Sequence, residues 1–431
     1  LFRSVLFMFR ASNTSPAASS SDLAQGARSA LALLDEKIGP KSPSAQSPLY
    51  GSVSAARARF YGLLGDWKNC MAQAEAALAS GDSNVYAAAV YWKAAALYQT
   101  GAYSAVSSFI RQQEDSHPQL ASDPVMQTLH ARALAQAGSN HDADLLFYAL
   151  GEKGALDNEG TLDYAKSLLN GGFMISASAQ AGKASGAEAD YLSALAAFNR
   201  RQWKSAATFF TKSLAAGKDG SGDALDAAYV PYAQFYCGYA QYRSGLYQAA
   251  YRTLSDFIAQ GGADSAKLLH LRFLAITTAV RASVQAGSYS QALSLAEEAI
   301  SAAQNDEQKQ EAVLLCAGVY TDAGQYDKAL AVLAPYASGR NDFAWQCRYT
   351  SAQIQTQKKD YASADKTYAS LAKERSAGLL AEEAAYRRGE LAYSAGRYEE
   401  AVSFFDEYGK KWRNGLFYDA SLFFAANALV Q

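Results

Sequence analysis

The residue types that most often carry out chemistry are few in this chain and stand far apart. Among 431 residues there are four cysteines and four histidines. No two cysteines form a CxxC pair and no two histidines stand four residues apart, so the spacing predicts neither a zinc site nor a thiol redox site. The HExxH, GxSxG and GxxxxGKS/T motifs are also missing from the sequence. The sequence therefore predicts a non-catalytic chain with no metal and no cofactor.

The cysteines and the adjacent glutamates have structural interpretations instead. A free thiol in an apolar helical stretch behaves as a small hydrophobic group, so we expect the cysteines to be buried; they are Cys70, Cys237, Cys316 and Cys347. Adjacent residues of a helix point to different sides, which argues against acid/base pairs. We therefore expect three glutamate pairs to be solvated, namely those at 297–298, 382–383 and 399–400.

Length and composition limit the class of protein further. Lys and Arg total 39 against 41 Asp and Glu, a net charge of −2, and half of the residues are hydrophobic. This balance supports a packed core and gives no general reason to bind nucleic acid. Residues 1–21 combine a short apolar start with a Ser/Ala-rich linker. No other segment approaches the roughly 20 apolar residues of a membrane-spanning helix, so no membrane insertion is predicted within the rest of the chain.

A short signal recurs along the chain and organises it. Gly-x-Tyr-x-x-Ala is complete at four places, which begin at Gly245, Gly287, Gly324 and Gly396. Partial copies are centred on Trp67, Tyr103, Asn140, Trp203 and Tyr361. Successive centres lie 36, 37, 63, 44, 42, 37, 35 and 37 residues apart. A period in the mid-thirties is typical of arrays built from one small repeated unit.

Each unit is predicted to be a pair of helices. Amphipathic, Ala-rich stretches precede the glycine and follow the aromatic residue, and the glycine supplies the positive φ that ends the first helix. The small residue after the aromatic lets the two helices approach closely. Larger apolar residues are expected to pack the second helix, at Phe209, Leu254, Leu333 and Phe405. One hairpin cannot bury its apolar face alone, so neighbouring hairpins must stack.

These helix pairs, the period and the turn signal resemble tetratricopeptide repeats over about residues 48 to 431. The small residue that the family places in the middle of the first helix is matched at Ala94, Gly238, Ala317 and Gly389. The resemblance implies an all-α solenoid, or superhelix, of roughly nine stacked antiparallel helix hairpins with a final unpaired helix. The proline expected between repeats is mostly missing, which resembles the divergent arrays of bacterial envelope and assembly proteins.

The spacing of the repeats predicts the domain organisation. Residues 22–150 form an N-terminal sub-array, and residues 187–431 form a C-terminal sub-array that is truncated at its end. The 63-residue interval contains residues 151–186, which we interpret as one degenerate repeat and a loop, and hence as a possible hinge. The chain therefore resembles a fragment of a longer protein.

The resemblance also implies a binding surface. In the family, the first helix of each hairpin lines a concave groove with positions 12, 8 and 5 residues before the turn aromatic. Counting back here gives mainly aromatic residues, with Arg243 beside one of them: Tyr91, Tyr98, Phe235, Tyr239, Tyr242, Arg243, Tyr349, Tyr386 and Tyr393. Tyrosine suits the binding of an extended peptide, and it is equally common as packing between repeats. The Lys, Asn and Arg set that clamps carboxylates in some family members is not visible.

The predicted function is that of a protein-interaction scaffold for a peptide or helix of another protein. One alternative is an assembly or spacer protein of the cell envelope. Another is the repeat region of a longer multidomain protein. Bacterial periplasm or cell envelope is favoured as the location, with cytoplasm as the alternative.

Overall fold

The computed structural model describes residues 20–40, 43–217, 224–259 and 268–431, and all regular secondary structure within them is helical. Contacts divide these residues into two units, one ending at Arg201 and the other beginning at Gln202. The apolar start and linker predicted for residues 1–21 lie outside the described residues, except for the last two. None of the described helices combines the length and the apolar character needed to cross a membrane.

Unit 1 consists of helices joined by short turns. They are α1 (Ser20–Ile38), α2 (Tyr50–Leu63), α3 (Trp67–Ala79), α4 (Tyr86–Gln99), α5 (Tyr103–Ser116), α6 (Pro124–Gln136), α7 (Asn140–Glu152), α8 (Asn158–Asn170), α9 (Met174–Ala181) and α10 (Ala187–Asn199). A 3-10 helix (Pro118–Ser122) precedes α6. Helices α2 to α9 pair as four consecutive hairpins, and in each the second helix begins at or near a turn centre.

Unit 2 repeats the same arrangement. Its helices are α11 (Trp203–Ala215), α12 (Val230–Arg243), α13 (Tyr247–Ala259), α14 (Leu269–Gln285), α15 (Tyr289–Ala302), α16 (Asp306–Asp322), α17 (Tyr326–Leu333), α18 (Asp342–Gln357), α19 (Tyr361–Ala372), α20 (Leu379–Ser394), α21 (Tyr398–Lys411) and α22 (Tyr418–Val430). Short 3-10 helices lie at Ala334–Tyr336 and Arg375–Ala377. Helices α12 to α21 form five hairpins, and α22 packs on α21 as a single helix. The predicted all-α array of hairpins is confirmed.

The turn between paired helices explains both complete and partial copies of the signal. In the turn after α12, Gly245 has a φ of +83°, and the N–H of Leu246 donates to the carbonyl of Gln241 at 2.9 Å. This i to i−5 bond is the Schellman arrangement that ends a helix. In two partial copies the glycine is replaced by Arg201 and Lys359, which still have φ values of +58° and +64°. The backbone geometry of the turn is therefore kept even where glycine is absent.

The close crossing of the two helices depends on the predicted small residues. A Cβ atom added to Gly238 would overlap Leu254, and one added to Gly389 would overlap Phe405. Ala94 and Ala317 have no exposed surface. The expected large partners Leu254, Leu333 and Phe405 are buried in the same crossings.

The packing role predicted for Phe209 was wrong by one residue. Phe209 is only partly buried, whereas Phe210 is fully buried. Phe210 follows its turn aromatic by seven residues, the same offset as Leu254 from Tyr247 and Phe405 from Tyr398. Seven residues make about two helical turns, so the packing residue lies on the same face of the second helix as the turn aromatic.

One hairpin escaped the sequence signal. Helices α8 and α9 form a pair at residues 158–181, inside the 63-residue interval. Gly172 has a φ of +85° and Ala177 is buried, as the signal requires, but Met174 stands where the aromatic residue is expected. The hinge predicted for residues 151–186 stays a prediction, as do the other domain limits.

A glutamate fastens the last helix of unit 2. Glu382 on α20 accepts hydrogen bonds from the Tyr408 hydroxyl at 2.7 Å and from the backbone N–H of Leu416 at 2.6 Å. The Tyr408 oxygen in turn accepts from the N–H of Phe417 at 3.1 Å. Burial and the Glu382 hydrogen bond raise the pKa of Tyr408. The expectation that the pairs at 297–298 and 382–383 are simply solvated was wrong, because each of these four carboxylates accepts a hydrogen bond from a side chain of another helix.

The helix crossing generates a stability prediction. Replacing Gly389 by alanine should lower the free energy of unfolding by about 1–3 kcal/mol, because the new methyl group overlaps the buried Phe405 ring. Gly318 offers a matched control, since among the described residues nothing lies within 4 Å of a Cβ built there. Gly318→Ala should raise stability by up to about 1 kcal/mol, because alanine favours the helix.

Midpoints of thermal unfolding for the parent and both variants would check this expectation. Equal midpoints for the two alanine variants would contradict the importance of the close crossing.

Candidate functional site

The nine residues predicted to line the groove fall into three groups by exposure. Three are buried: Phe235, Tyr349 and Tyr386. Five are partly buried: Tyr91, Tyr98, Tyr239, Tyr242 and Tyr393. Arg243 is exposed. Only the last two groups present surface to a partner in this structure.

The three buried aromatic residues pack between helices. The Phe235 ring lies 6.0 Å from that of Phe257, and the Tyr386 ring stacks on Phe417 at 4.9 Å. The Tyr349 hydroxyl donates to Glu383 at 2.5 Å, and burial, followed by this bond, raises the pKa of Tyr349 to about 12. All three stand 12 residues before their turn aromatic, so this position contributes to the core in unit 2.

Position 5 before the turn aromatic behaves differently. Tyr98, Tyr242 and Tyr393 each lie against the turn aromatic of their own hairpin, with centroid distances of 5.2, 6.0 and 5.5 Å. Each ring is held in place by this contact and still keeps exposed surface. These tyrosines therefore pack within their own hairpins and keep exposed surface at a counted position.

In unit 1 a row of ion pairs joins three first helices beside Tyr98. Arg132 on α6 pairs with Asp163 on α8 at 2.5 Å and with Glu159 at 3.1 Å. Lys166 on α8 continues the row to Glu188 on α10 at 2.8 Å. Burial raises the pKa of Tyr98, and the nearby charge of Asp163 raises it further. Tyr98 therefore faces this row of charges.

Sequence reasoning missed Arg132 and Lys166. Arg132 stands eight residues before Asn140, where the same count applies, but the predicted set consisted of aromatic residues and one arginine beside them. Lys166 stands eight residues before Met174, and the α8–α9 repeat had no recognisable centre. Counting back from every turn, whatever its residue type, would have found Arg132.

In unit 2 an arginine lies against two aromatic rings, an arrangement that we call the Arg243 stack: Trp203, Tyr239 and Arg243. The guanidinium carbon lies 4.8 Å from the Trp203 ring centroid and 6.0 Å from that of Tyr239. Nη1 of Arg243 donates to the Tyr239 hydroxyl at 3.2 Å. The two rings meet edge to face at 6.0 Å. Cation–π contact and the hydrogen bond thus hold the guanidinium in one place.

A cavity of about 630 Å³ near the end of unit 2 extends over α18, α20 and α22. We call it the C-terminal groove. Its lining comes mainly from α18, α20 and α22: Gln353, Thr356, Gln357, Tyr368, Arg387, Glu390, Leu391, Tyr393, Ser394 and Phe424. Four of these lining residues stand 8 or 5 residues before their turn aromatic: Gln353, Thr356, Glu390 and Tyr393. The counted positions of two successive first helices therefore line one cavity.

Charge in the C-terminal groove is balanced by its own residues. Arg387 donates to Glu390 at 2.5 Å and to Glu383 at 3.0 Å. Burial lowers the pKa of Arg387, but the hydrogen bonds to Tyr349, Glu390 and Glu383 together raise it above its usual value. The groove therefore offers a fixed, paired cation among amide, hydroxyl and aromatic side chains.

The cysteines are buried free thiols, as predicted. Burial raises the pKa of Cys70 to about 12 and those of Cys316 and Cys347 to about 11, and it also raises that of Cys237. Thiols with such pKa values hold almost no thiolate near neutral pH. In the part of the chain that the structure describes, no three His, Cys, Asp or Glu side chains gather as metal ligands.

Stacked helix hairpins with crossings at small residues and left-handed turns define the architecture of an α-solenoid. Residues 283–346, which span the turns of two successive hairpins, match the family model described as tetratricopeptide repeat. Residues 283–346 are therefore similar to tetratricopeptide repeats, and helix hairpins of the same kind make up most of the described chain.

Several solved structures are similar to this chain. The human IFIT1 dimer with PPP-AAAA is 16% identical, with 96% of this chain and 95% of that chain covered and a TM-score of 0.34. The apo form of RapI is 8% identical, with 88% and 97% covered and a TM-score of 0.38. The TPR domain of P58(IPK) is 14% identical, with 88% and 98% covered and a TM-score of 0.25. No curated protein matches the chain.

One histidine has an environment that makes folding sensitive to pH. His130 on α6 is buried, and its Nε2 lies 3.0 Å from the Ser107 hydroxyl. Burial lowers its pKa from 6.5 to about 4, with a further lowering by Arg111 and an opposing effect of Asp142. The folded state therefore keeps His130 neutral where the unfolded chain would protonate it.

The sign of the pH dependence follows from this lowered pKa. The contribution of His130 to stability is fully present above pH 6.5 and is lost as the pH falls towards 4, amounting to about 3 kcal/mol at most. His130→Gln cannot titrate, so its stability should fall less steeply between these pH values. Urea unfolding at neutral and mildly acidic pH would measure the difference, with the exposed His141→Gln as the matched control. Equal pH dependence in the two variants would contradict the assignment.

Proposed function

We propose that this chain is a protein-interaction scaffold that holds an extended peptide or a helix of a partner protein along the groove formed by its first helices. The C-terminal groove is the observation that carries the proposal. Its volume of about 630 Å³ lies in the range of well-formed binding clefts, and it continues across three successive repeats. A partner segment longer than a single side chain would therefore find contacts on each of them.

The chemistry of the lining supports a peptide as the occupant. Gln353, Gln357 and Thr356 offer both donors and acceptors, which match the alternating N–H and C=O groups of an extended backbone. Tyr393 and Phe424 add aromatic surface that loses little entropy on binding. The pairing of Arg387 with Glu383 and Glu390 removes the strong field that a highly charged ligand would require.

The overall properties of the chain agree with this role. A net charge of −2 provides no general attraction for nucleic acid. Tetratricopeptide repeats typically present surfaces for other proteins and do not assemble catalytic residues, so we propose no reaction for this chain.

The proposal predicts that filling the groove removes the partner. Gly318 lies on α16, the first helix of its hairpin, which contacts α18 and so lies next to the C-terminal groove. It stands eight residues before Tyr326, at a counted groove position, and the space in front of it is open. Gly318→Trp should therefore place an indole in the groove without disturbing the core, and it should abolish capture of proteins that the parent retains from native cell extract.

Ser294→Trp is the matched control, because Ser294 is exposed on the second helix α15, away from the counted groove positions. Mass spectrometry would compare the proteins retained by the parent and by both variants at equal helical content. Retention of the same partners by Gly318→Trp as by the parent would contradict a groove-binding scaffold.

A further inference from the structure

Three of the first four helices of unit 2 carry no carboxylate, and the remaining one, α13, carries a single carboxylate, Asp256, together with Arg252. Helices α11, α12 and α14 contain no Asp or Glu. They carry five cationic residues instead: Lys204, Lys212, Arg243, Arg272 and Arg281. Although the whole chain is nearly neutral, this stretch of the array has a local excess of positive charge among its described helices.

Among the arginines of these helices, Arg243 differs in its partners. Arg272 pairs with Glu298 on α15 at 2.9 Å, and Arg281 pairs with Glu311 on α16 at 2.5 Å. Arg243 forms no ion pair with any residue that the structure describes, and its side chain is exposed. Its positive charge therefore remains available to a ligand.

The geometry of the Arg243 stack prepares this charge for binding. A guanidinium carries five N–H donors, and the bond to Tyr239 uses one of them. Contact with the Trp203 and Tyr239 rings restricts the side chain before any ligand arrives, so less entropy is lost when it binds. The free N–H groups can donate in parallel to both oxygens of a carboxylate.

We infer that the Arg243 stack receives the carboxylate of an Asp or Glu side chain in the partner peptide. This inference rests on the proposed function, since it names the chemistry of one segment of the ligand in that groove. Tyr239 and Tyr242 stand at counted groove positions on the same helix, so a residue next to the acidic one would meet their rings. A single arginine suits one negative charge, whereas phosphorylated segments are usually bound by clusters of arginine.

Selection of random linear peptides displayed on phage tests the inference. The immobilised full chain should enrich peptides that contain an acidic residue beside an aromatic or aliphatic one. Arg243→Gln should lose this acidic preference. Arg252→Gln should keep it, because Arg252 is an exposed arginine on the neighbouring second helix α13, away from the counted groove positions.

Affinities of one selected peptide then give a quantitative test. Replacing its acidic residue by the corresponding amide should weaken binding to the parent by about tenfold or more, as expected for a charge-assisted hydrogen bond. The same replacement should change binding to Arg243→Gln by less than about twofold, because the two changes remove one interaction. Arg243→Lys should recover only part of the affinity, since it keeps the charge and loses the planar contact.

The outcomes separate this inference from the proposed function. Peptides that are lost by Gly318→Trp but show no acidic preference would overturn the carboxylate assignment and leave the groove proposal standing. Tighter binding of a phosphoserine peptide than of its glutamate counterpart would also overturn the assignment. If no peptide depends on either Gly318 or Arg243, both proposals fail.

Discussion

The close approach of the two helices in each hairpin is the constraint on which the rest of the structure depends. It requires a residue without a large side chain in the first helix, such as Gly238 or Gly389, directly against a large apolar residue of the second, Leu254 or Phe405. Because these pairs interlock, the crossing admits little variation in angle or distance. Within each unit, repetition of one crossing then places successive first helices side by side.

The same constraint decides which positions of a first helix are buried and which keep exposed surface. In unit 2 the residues Phe235, Tyr349 and Tyr386, each 12 residues before its turn aromatic, are buried, whereas Tyr239 and Tyr393, at positions 8 and 5, retain exposed surface. Positions 12 and 5 share one stripe, since seven residues make two turns. The two positions differ in burial because the neighbouring hairpin covers position 12. This burial therefore depends on the stacking of hairpins and cannot be read from a single helix.

Sequence therefore predicts the local part of the fold well and the array-dependent part less well. The turn signal identified most hairpins because its glycine and its small residue are required by the backbone geometry of a single hairpin. It failed at Met174, where the helix pair persists without an aromatic ring, and it placed the packing residue at Phe209 in place of Phe210. The tie from Glu382 to Tyr408 and Leu416 was not predictable, because it joins residues that only the stacking brings together.

A cation of the array can receive an anionic ligand only if it is not already paired with a carboxylate. The number of cations matters less. On the first helices of unit 1, Arg132 and Lys166 already pair with Asp163 and Glu188, so an incoming carboxylate would have to displace an existing partner and replace the lost hydrogen bonds. In unit 2 the neighbouring aromatic rings hold Arg243 without neutralising it, because a ring attracts a cation through its quadrupole and leaves the charge in place. Aromatic contact thus fixes the position of the guanidinium, and a ligand does not have to displace a carboxylate from it. In this respect Arg243 differs from Arg132 and Lys166 of unit 1, which are paired with carboxylates.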